Sequence, residues 1–435
     1  MTRIIPLNPM SSKFKESDIR VGWLIDPDSS TLLYPATIQY TAKGVVGIIN
    51  LSIIDSNGYY REHSSQIGRN SVPETMYFSD AYGRVCLWRC RNYGLQATAY
   101  GSELKFFARI AVNSDSFYTQ AEITSMVTKA RILDAWFNLG KMNASITRTP
   151  HTRFESNILV SDPVPLSPLM HLKATSRWET YHNSIEFNGN ICTTLESHSD
   201  PGAEFGDHYQ VHQNLYTLFA ISAWKPCFIS KLLIQANPHN ESDLIPFSDL
   251  EPVYVSERFI SYASDAPEVS FLFSHEDLQE DSYNRWLQLC DHQQRIVESL
   301  VNVLYSADPW NPEFILTLGP VLERIGLEIA KKSEDSKYFS SRKGQVPFKS
   351  ALKAIIDQLP LSPLDDPNEW IVHTHEAYTS WKHADRKLAS RATVLSAIKE
   401  SLMIIRFWIC HKIGVDLSDV QERLHSDSLY QIHFR

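Results

Sequence analysis

The segment Tyr378-Thr379-Ser380-Trp381-Lys382-His383-Ala384-Asp385-Arg386 places an imidazole, a carboxylate and a guanidinium within four residues. It stands directly ahead of a helical pattern that runs to Gly414. Cleaving a phosphodiester without metal needs a group that moves protons and a fixed cation beside the phosphate. An imidazole near its ordinary pKa of about 6.5 serves both proton roles close to neutral pH. A guanidinium grips phosphate through two parallel bonds and keeps its charge. His383 is therefore the candidate proton carrier and Arg386 the candidate cation, with Asp385 as third member. The competing reading of the same residues is a cap and salt-bridge cluster at a helix start.

Other constellations are weaker. His373 and His375 would point to one side of a strand and suit zinc together with His383, but Glu369 to Trp381 reads as helix or loop. The stretch His198 to His212 holds more ligand types. His208 and His212 are spaced to share a helix face near Glu204 and Asp207. It reads first as a polar loop leading into a helix, and second as a metal or ligand site. No glycine-rich phosphate loop, serine elbow or thiol dyad occurs, and no cofactor is expected. The ten tryptophans read as core in strands, with carbohydrate binding the lesser alternative.

The elements that must carry these residues follow from length and pattern. The 435 residues suggest two or three domains, and 43% apolar with 21% charged residues is ordinary core-forming composition. A net charge of −9 excludes a protein coated in positive charge for general nucleic-acid binding. A small basic site remains compatible with it. Two zones are locally positive, each with seven basic against two acidic residues, at 331–353 and 381–413. Solvated helix faces would look the same. The six cysteines form no CxxC pair. Cys86 and Cys90, on one face of a strand, would lie about 13 Å apart, too far to bridge. Reduced thiols and a cytoplasmic location are expected. Met1 to Glu16 has no apolar leader core, and no run of about 18 apolar residues appears.

From about Gly22 to Val112 the pattern is antiparallel β, with strands at Gly44–Ile54, Arg84–Cys90 and Glu103–Val112. Glu122 to Gly140 predicts a helix, and Thr149 to Pro168 a proline- and serine-rich linker. A second β segment covers Met170 to Thr194. A helix at Asn214 to Trp224 and a strand at Phe228 to Ala236 follow. After Ser274 the pattern turns helical: Trp286–Tyr305, Pro312–Lys332, Phe348–Leu359, Trp370–Trp381, and a last helix capped by Ser390 and stopped by Gly414. Strands first and helices after predict an α+β chain: a β-rich N-terminal region of antiparallel sheets with interspersed helices, then an all-α bundle. The expected domains are 1–148, 149–273 and 274–435.

Val21-Gly22-Trp23, the Gly44–Ile54 strand, Phe117 to Trp136, Asn214 to Pro226 and the long apolar helix Leu395 to Gly414 together resemble ApeA-type bacterial defence proteins. In these a β-rich domain precedes a HEPN (higher eukaryotes and prokaryotes nucleotide-binding) helical domain. The resemblance covers nearly the whole chain. It implies an HEPN-like bundle at about 277–435 that acts as a metal-independent endoribonuclease, with tRNA as a possible substrate. It also implies a phage-derived trigger, a homodimer or higher homo-oligomer, and abortive infection as outcome. The family signature is arginine, four to six intervening positions, then histidine, just before the last long helix. His383 takes the histidine place, and Lys382, Lys387 and Arg391 are placed to contact RNA. Tyr378 stands where an arginine is expected, and no arginine lies between Arg342 and Arg386. Either Arg386 supplies the cation from the other side, or the site is degenerate and the domain only binds. A literal Arg-x4-His occurs at Arg406 and His411, but inside the final helix among core residues.

Overall fold

The computed structural model describes residues 19–41, 43–50, 72–98, 101–114, 116–147, 153–182, 187–236, 250–255, 269–308, 310–333, 335–339 and 345–434. Met1–Glu16, Thr149–Pro150, Arg342, Lys343 and the end of the expected Gly44–Ile54 strand lie outside these residues. Among the described residues no helix is long and apolar enough to cross a membrane. The architecture is α+β, β-rich in the N-terminal part and all-helical in the C-terminal part. The described residues within 1–131, 140–212 and 228–265 form one unit, and those within 132–139, 213–227 and 266–435 a second.

In the first unit, alternation of apolar residues builds a barrel. Along β2 (Leu32–Thr41), Tyr34, Ala36, Ile38 and Tyr40 are buried. Ala36, Ile38 and Tyr40 sit across from Ile49, Gly47 and Val45 of β3 (Gly44–Asn50) in antiparallel register. A side chain at Gly47 would strike the Phe106 ring, so this inner position is kept bare. The order β6 (Gly101–Ser114), β3, β2, β1 (Ile19–Ile25), β4 (Thr75–Asp80), β5 (Gly83–Thr98) closes on itself through β5–β6 pairing. Closure removes the free edges a six-stranded sheet would otherwise expose. Arg20 ties one end, donating to Asp80 at 2.8 and 2.6 Å and to Asn113 Oδ1 at 3.1 Å.

Past Ala108, β6 exchanges β3 for a new neighbour, β14 (Glu251–Val255), and starts a second sheet segment. It continues through β13 (Lys231–Gln235), β7 (Ile123–Lys129), β12 (Phe187–Ala203), β11 (Leu172–His182) and β10 (Val164–Ser167). β8 (Gly140–Thr147) and β9 (Arg153–Val160) form a separate antiparallel hairpin.

Three local expectations are corrected here. Ile123–Lys129 is a strand, and the helix is only α1 (Arg131–Phe137). Its β-branched Ile123, Thr124, Val127 and Thr128 are buried in a strand paired on both edges, which overrides helical spacing. The expected linker contains β9 and β10 instead. Cys86 and Cys90 do not share a face: Val85 and Leu87 belong to the barrel core with Cys90, and Cys86 does not. Arg89 between them has φ 54°, which shifts the alternation by one residue. All six cysteines are buried and outside disulfides.

The helical unit receives α1 and the second half of α2 (Phe205–Ala223) as apolar inserts. Trp136 packs its ring 4.7 Å from Phe219 and donates to the Tyr283 hydroxyl at 3.0 Å. The single expected helix at 286–305 is two, α3 (Ser282–His292) and α4 (Gln294–Leu304). They break at Gln293, whose side chain accepts from Arg324 at 2.7 Å and donates to Glu328. There follow α5 (Phe314–Ser333), α6 (Phe348–Gln358), α7 (Pro367–Lys382), α8 (Arg391–Ile413), α9 (Leu417–Arg423) and α10 (Ser428–Phe434). Every residue of α8 from Ser401 to Cys410 is buried, as expected of a helix apolar on all sides. Ser390 caps it through a 3.1 Å bond from the Thr393 amide, and Gly414 ends it at φ 83°.

Helix α5 approaches its neighbours at two glycines. A methyl group on Gly319 would meet the Tyr378 ring, and one on Gly326 would meet the backbone of Ala351 on α6. A ring edge can yield, whereas a backbone carbonyl cannot without moving the helix. Gly326→Ala is expected to destabilise by about 1–3 kcal/mol despite alanine's better helix propensity. Urea unfolding followed by circular dichroism checks this, and an unchanged midpoint would contradict it.

Candidate functional site

Helix α7 starts where Asp366 accepts from the Asn368 and Glu369 amides at 2.9 and 3.1 Å, with Pro367 in the first turn. Its far end carries the candidate chemistry. His383 is the C-cap, its amide donating to the Thr379 carbonyl at 3.1 Å. One turn on, the Arg386 amide donates to the His383 carbonyl at 3.1 Å. The Ala389 amide donates to Ser380 Oγ at 3.2 Å and pins the return of the loop before Ser390 opens α8. This loop is short and bonded at both ends, so it holds His383 and Arg386 in one turn.

His383, Asp385, Arg386, Lys387 and Arg391 are all exposed. Among the described residues none of their side chains makes a hydrogen bond or ion pair with another. Of the competing cap and salt-bridge reading, the cap is present, His383 ending α7, and the salt bridges are not among the described residues. Lys382 differs. It pairs with Glu323 of α5 at 3.4 Å and lies 4.8 Å from the Tyr378 ring centroid. That contact with Tyr378, ahead of the Glu323 charge, raises its pKa. Tyr378, where the resemblance calls for arginine, is 4% exposed, with its ring 4.8 Å from Phe348. Tyr378 itself therefore supplies no cation to the turn.

The literal Arg406–His411 pair has a different task. Arg406 is 1% exposed. It forks onto both oxygens of Asp427 at 2.8 Å and also donates to the Ser222 carbonyl at 2.8 Å. Burial opposes ionisation of Asp427, but Arg406 and the Tyr430 and Leu429 amides hold its carboxyl below the usual range. Asp427 caps α10 with the same oxygen that faces Arg406. This guanidinium is committed to architecture and offers nothing to a phosphate. His411 is half-buried, its pKa lowered by burial and by Lys412.

Of the histidines of the expected polar loop, His208 and His212 lie on the first turns of α2 and are fully buried, and His198 lies on β12, half-buried. Ile123's carbonyl, 3.1 Å from His208 Nε2, can only accept, so Nε2 carries the proton. His208 Nδ1 then accepts from Ser197 at 2.7 Å. Ser197 Oγ accepts from His212 Nε2 at 2.9 Å, and His212 Nδ1 accepts from Thr128 at 2.7 Å. One carbonyl thus fixes every proton in the chain, with both rings neutral. All four ring nitrogens are engaged, which leaves no lone pair for a metal. Burial pushes His208 down to about 4 and His212 to about 3. His373 and His375 sit on helix α7, where positions two apart diverge, and His373 faces Glu369 at 3.5 Å. Among the described residues no three His, Cys, Asp or Glu side chains converge as a metal-binding group. Trp88, Trp136, Trp286, Trp370 and Trp408 are core.

Sequence reasoning missed one neighbour relation. Lys349, in the first turn of α6, and Arg386 both lie near enough to His375 to act on its charge. Lys349 and His375 are 26 positions apart on different helices, so no spacing rule could have joined them.

A family model described as ApeA N-terminal domain 1 matches residues 20–286, more than half of the chain. No curated protein and no solved structure gives a match.

Two outcomes follow from these networks. Asp427→Ala leaves the Arg406 charge buried and unpaired, so a loss of about 3–5 kcal/mol is expected by denaturant unfolding; a loss below 1 kcal/mol would contradict the account. The unfolded chain's imidazoles titrate near 6.5, while the folded His208 and His212 resist protonation until about 4 and 3. Stability should therefore fall as pH drops below 6.5, until the folded pKa values are passed. The double variant His208→Asn, His212→Gln should show a shallower fall between pH 6.5 and 4.5 than wild type. Parallel pH profiles would refute the neutral chain.

Proposed function

The chain belongs to the ApeA N-terminal domain 1 family, and from that premise we propose that it is an anti-phage defence protein whose helical part cuts RNA. The observation that carries the reading is the α7–α8 turn, which holds an exposed His383 beside an exposed, unpaired Arg386 on rigid helix ends. RNA brings its own nucleophile, the 2′-hydroxyl, which DNA lacks. His383 as base takes the hydroxyl proton, and an imidazolium returns a proton to the departing 5′-oxygen. Arg386 neutralises charge on the phosphorus oxygens as the bond breaks. Asp385, one residue before Arg386, would steer either group, and Lys387 and Arg391 would meet flanking phosphates. A tRNA is the substrate the family resemblance suggests, and the β-rich unit would respond to a phage-derived trigger. A homodimer would present two such turns to one substrate.

The second reading is binding without cleavage. Its support is Tyr378, a buried ring where the resemblance calls for a cation. Purified protein incubated with tRNA under activating conditions separates the two. His383→Ala is expected to lower cleavage at least 100-fold and Arg386→Ala at least tenfold, with folding unchanged because both side chains are exposed. Retention of full activity by His383→Ala would sink the catalytic assignment. RNA binding without any turnover by wild type would favour the second reading.

A further inference from the structure

On the outside of the barrel, three neighbouring strands carry cations and rings that the chemistry of the helical unit does not use. Strand β6 sends Leu104, Phe106 and Ala108 into the barrel core, so Lys105, Phe107 and Arg109 lie on its outer face. Arg91 of β5 stands opposite Phe107, and Val46 of β3 flanks Phe107 on the other side. The Arg91 guanidinium lies 5.0 Å from the Phe107 ring centroid. A Cβ at Gly44 would meet the same ring, so Phe107 is held against β3. Diagonal neighbours on one sheet face are about 7–8 Å apart, which sets Lys105 and Arg109 on either side of Arg91.

A bulge builds the end of this face. Asn92 pairs with Phe106 and Gly94 with Lys105, so Tyr93 and Gly94 together oppose Lys105. Gly94 takes φ 155°, and its amide donates to Asn92 Oδ1 at 2.8 Å, which fixes the extra residue. Tyr93 is thereby turned to the side of Lys105, where it is 67% exposed. Arg91 is exposed as well, and Lys105 is half-buried.

In a chain of net charge −9, strands β3, β5 and β6 hold Arg84, Arg89, Arg91, Lys105 and Arg109 against one carboxylate, Glu103. A face that meets only water mixes both signs. Among the described residues Arg91 and Lys105 make no ion pair, whereas Arg20 on the same barrel is held by Asp80 at 2.6 Å. An acidic protein would use these cations and leave Tyr93 idle. A single-stranded nucleic acid uses both, since its phosphates meet cations while its bases stack on aromatic rings and guanidinium planes. Arg91 and Tyr93 lie about 6–7 Å apart along the strand, so successive unstacked bases reach both. Bases stacked inside a duplex reach neither.

We propose that this outer face of β3, β5 and β6 is a docking surface for single-stranded RNA. Phosphates meet Arg91 and Lys105, and an unstacked base lies on Tyr93. That the strand is RNA rests on the proposed function; the surface requires no bond to be cut.

The experiment uses the full chain. A fluorescein-labelled oligouridylate with 2′-O-methyl riboses, which cannot be cleaved through the 2′-oxygen, is titrated by anisotropy over a series of salt concentrations. Tyr93→Ala is expected to weaken binding about fivefold to tenfold, and Tyr93→Phe, which keeps the ring, to stay within twofold of wild type. The double variant Arg91→Gln, Lys105→Gln should reduce the slope of log affinity against log salt by about 1.4, two phosphate contacts on a single strand. An unchanged slope and affinity in the double variant would overturn the surface, and so would equal losses in Tyr93→Ala and Tyr93→Phe. Tighter binding of the same strand as DNA would overturn the RNA assignment. Displacement of the oligonucleotide by polyglutamate as readily as by unlabelled strand would assign the face to an acidic protein instead. Cleavable RNA separates this surface from the ribonuclease reading. If wild type cuts RNA and the variants bind and cut as well as wild type, the surface fails alone. If binding depends on these residues and nothing is cut, the ribonuclease reading fails alone.

Discussion

The helical unit turns on a buried ion pair. Arg406 and Asp427 meet with almost no water around them. Two charges in such a place hold only if they are paired and hydrogen-bonded to each other, and here both terminal nitrogens of Arg406 are engaged while its Nε is not. The guanidinium takes both carboxylate oxygens and the Ser222 carbonyl, and the carboxylate takes two amides at the start of α10. Two separate pieces of chain, the end of α2 and the start of α10, are therefore fastened to the middle of α8. Because α8 is buried along most of its length, its first turn at Ser390 is a fixed point. The loop that bears His383 and Arg386 is tied to that point at one end and to α7 at the other.

This explains how an arginine–histidine pair with the right spacing can be committed to the core while a pair with the wrong order lies free in solvent. Arg406 and His411 satisfy a spacing rule on a helix whose every face is occupied. Arg386 follows its histidine rather than preceding it, yet both lie in solvent within one turn. Exposure and the absence of a competing carboxylate, rather than separation along the chain, decide which guanidinium is available to an incoming anion.

Much of the helical unit was legible because its signals are local. Ser390 and Gly414 mark helix ends by capping chemistry that operates within a few residues, and the structure places the ends of α8 there. The break at Gln293 was not legible, since its side chain answers to Arg324 and Glu328 on a different helix. The β-rich unit was harder for the same reason. Ile123–Lys129 carries helical spacing, and only its two sheet neighbours make it a strand. The His208–His212 chain shows the limit for sites. Spacing would put both rings on one helix face, but the segment read first as a polar loop before a helix at Asn214, whereas the helix begins at Phe205. Whether they would hold a metal or each other's neighbours depended on Ser197, Thr128 and the Ile123 carbonyl, which no motif could supply.

The proposed ribonuclease chemistry is tested at the bond it would break. The most direct measurement is end-group analysis of products from a tRNA-derived hairpin and from the same hairpin carrying 2′-deoxyribose at the cleaved position, both in the presence of a chelator. The account predicts a 2′,3′-cyclic phosphate end from the ribose substrate and no cut at the deoxyribose position. Cleavage of both substrates to the same ends would contradict it, because the 2′-hydroxyl could not then be the nucleophile that His383 is proposed to activate.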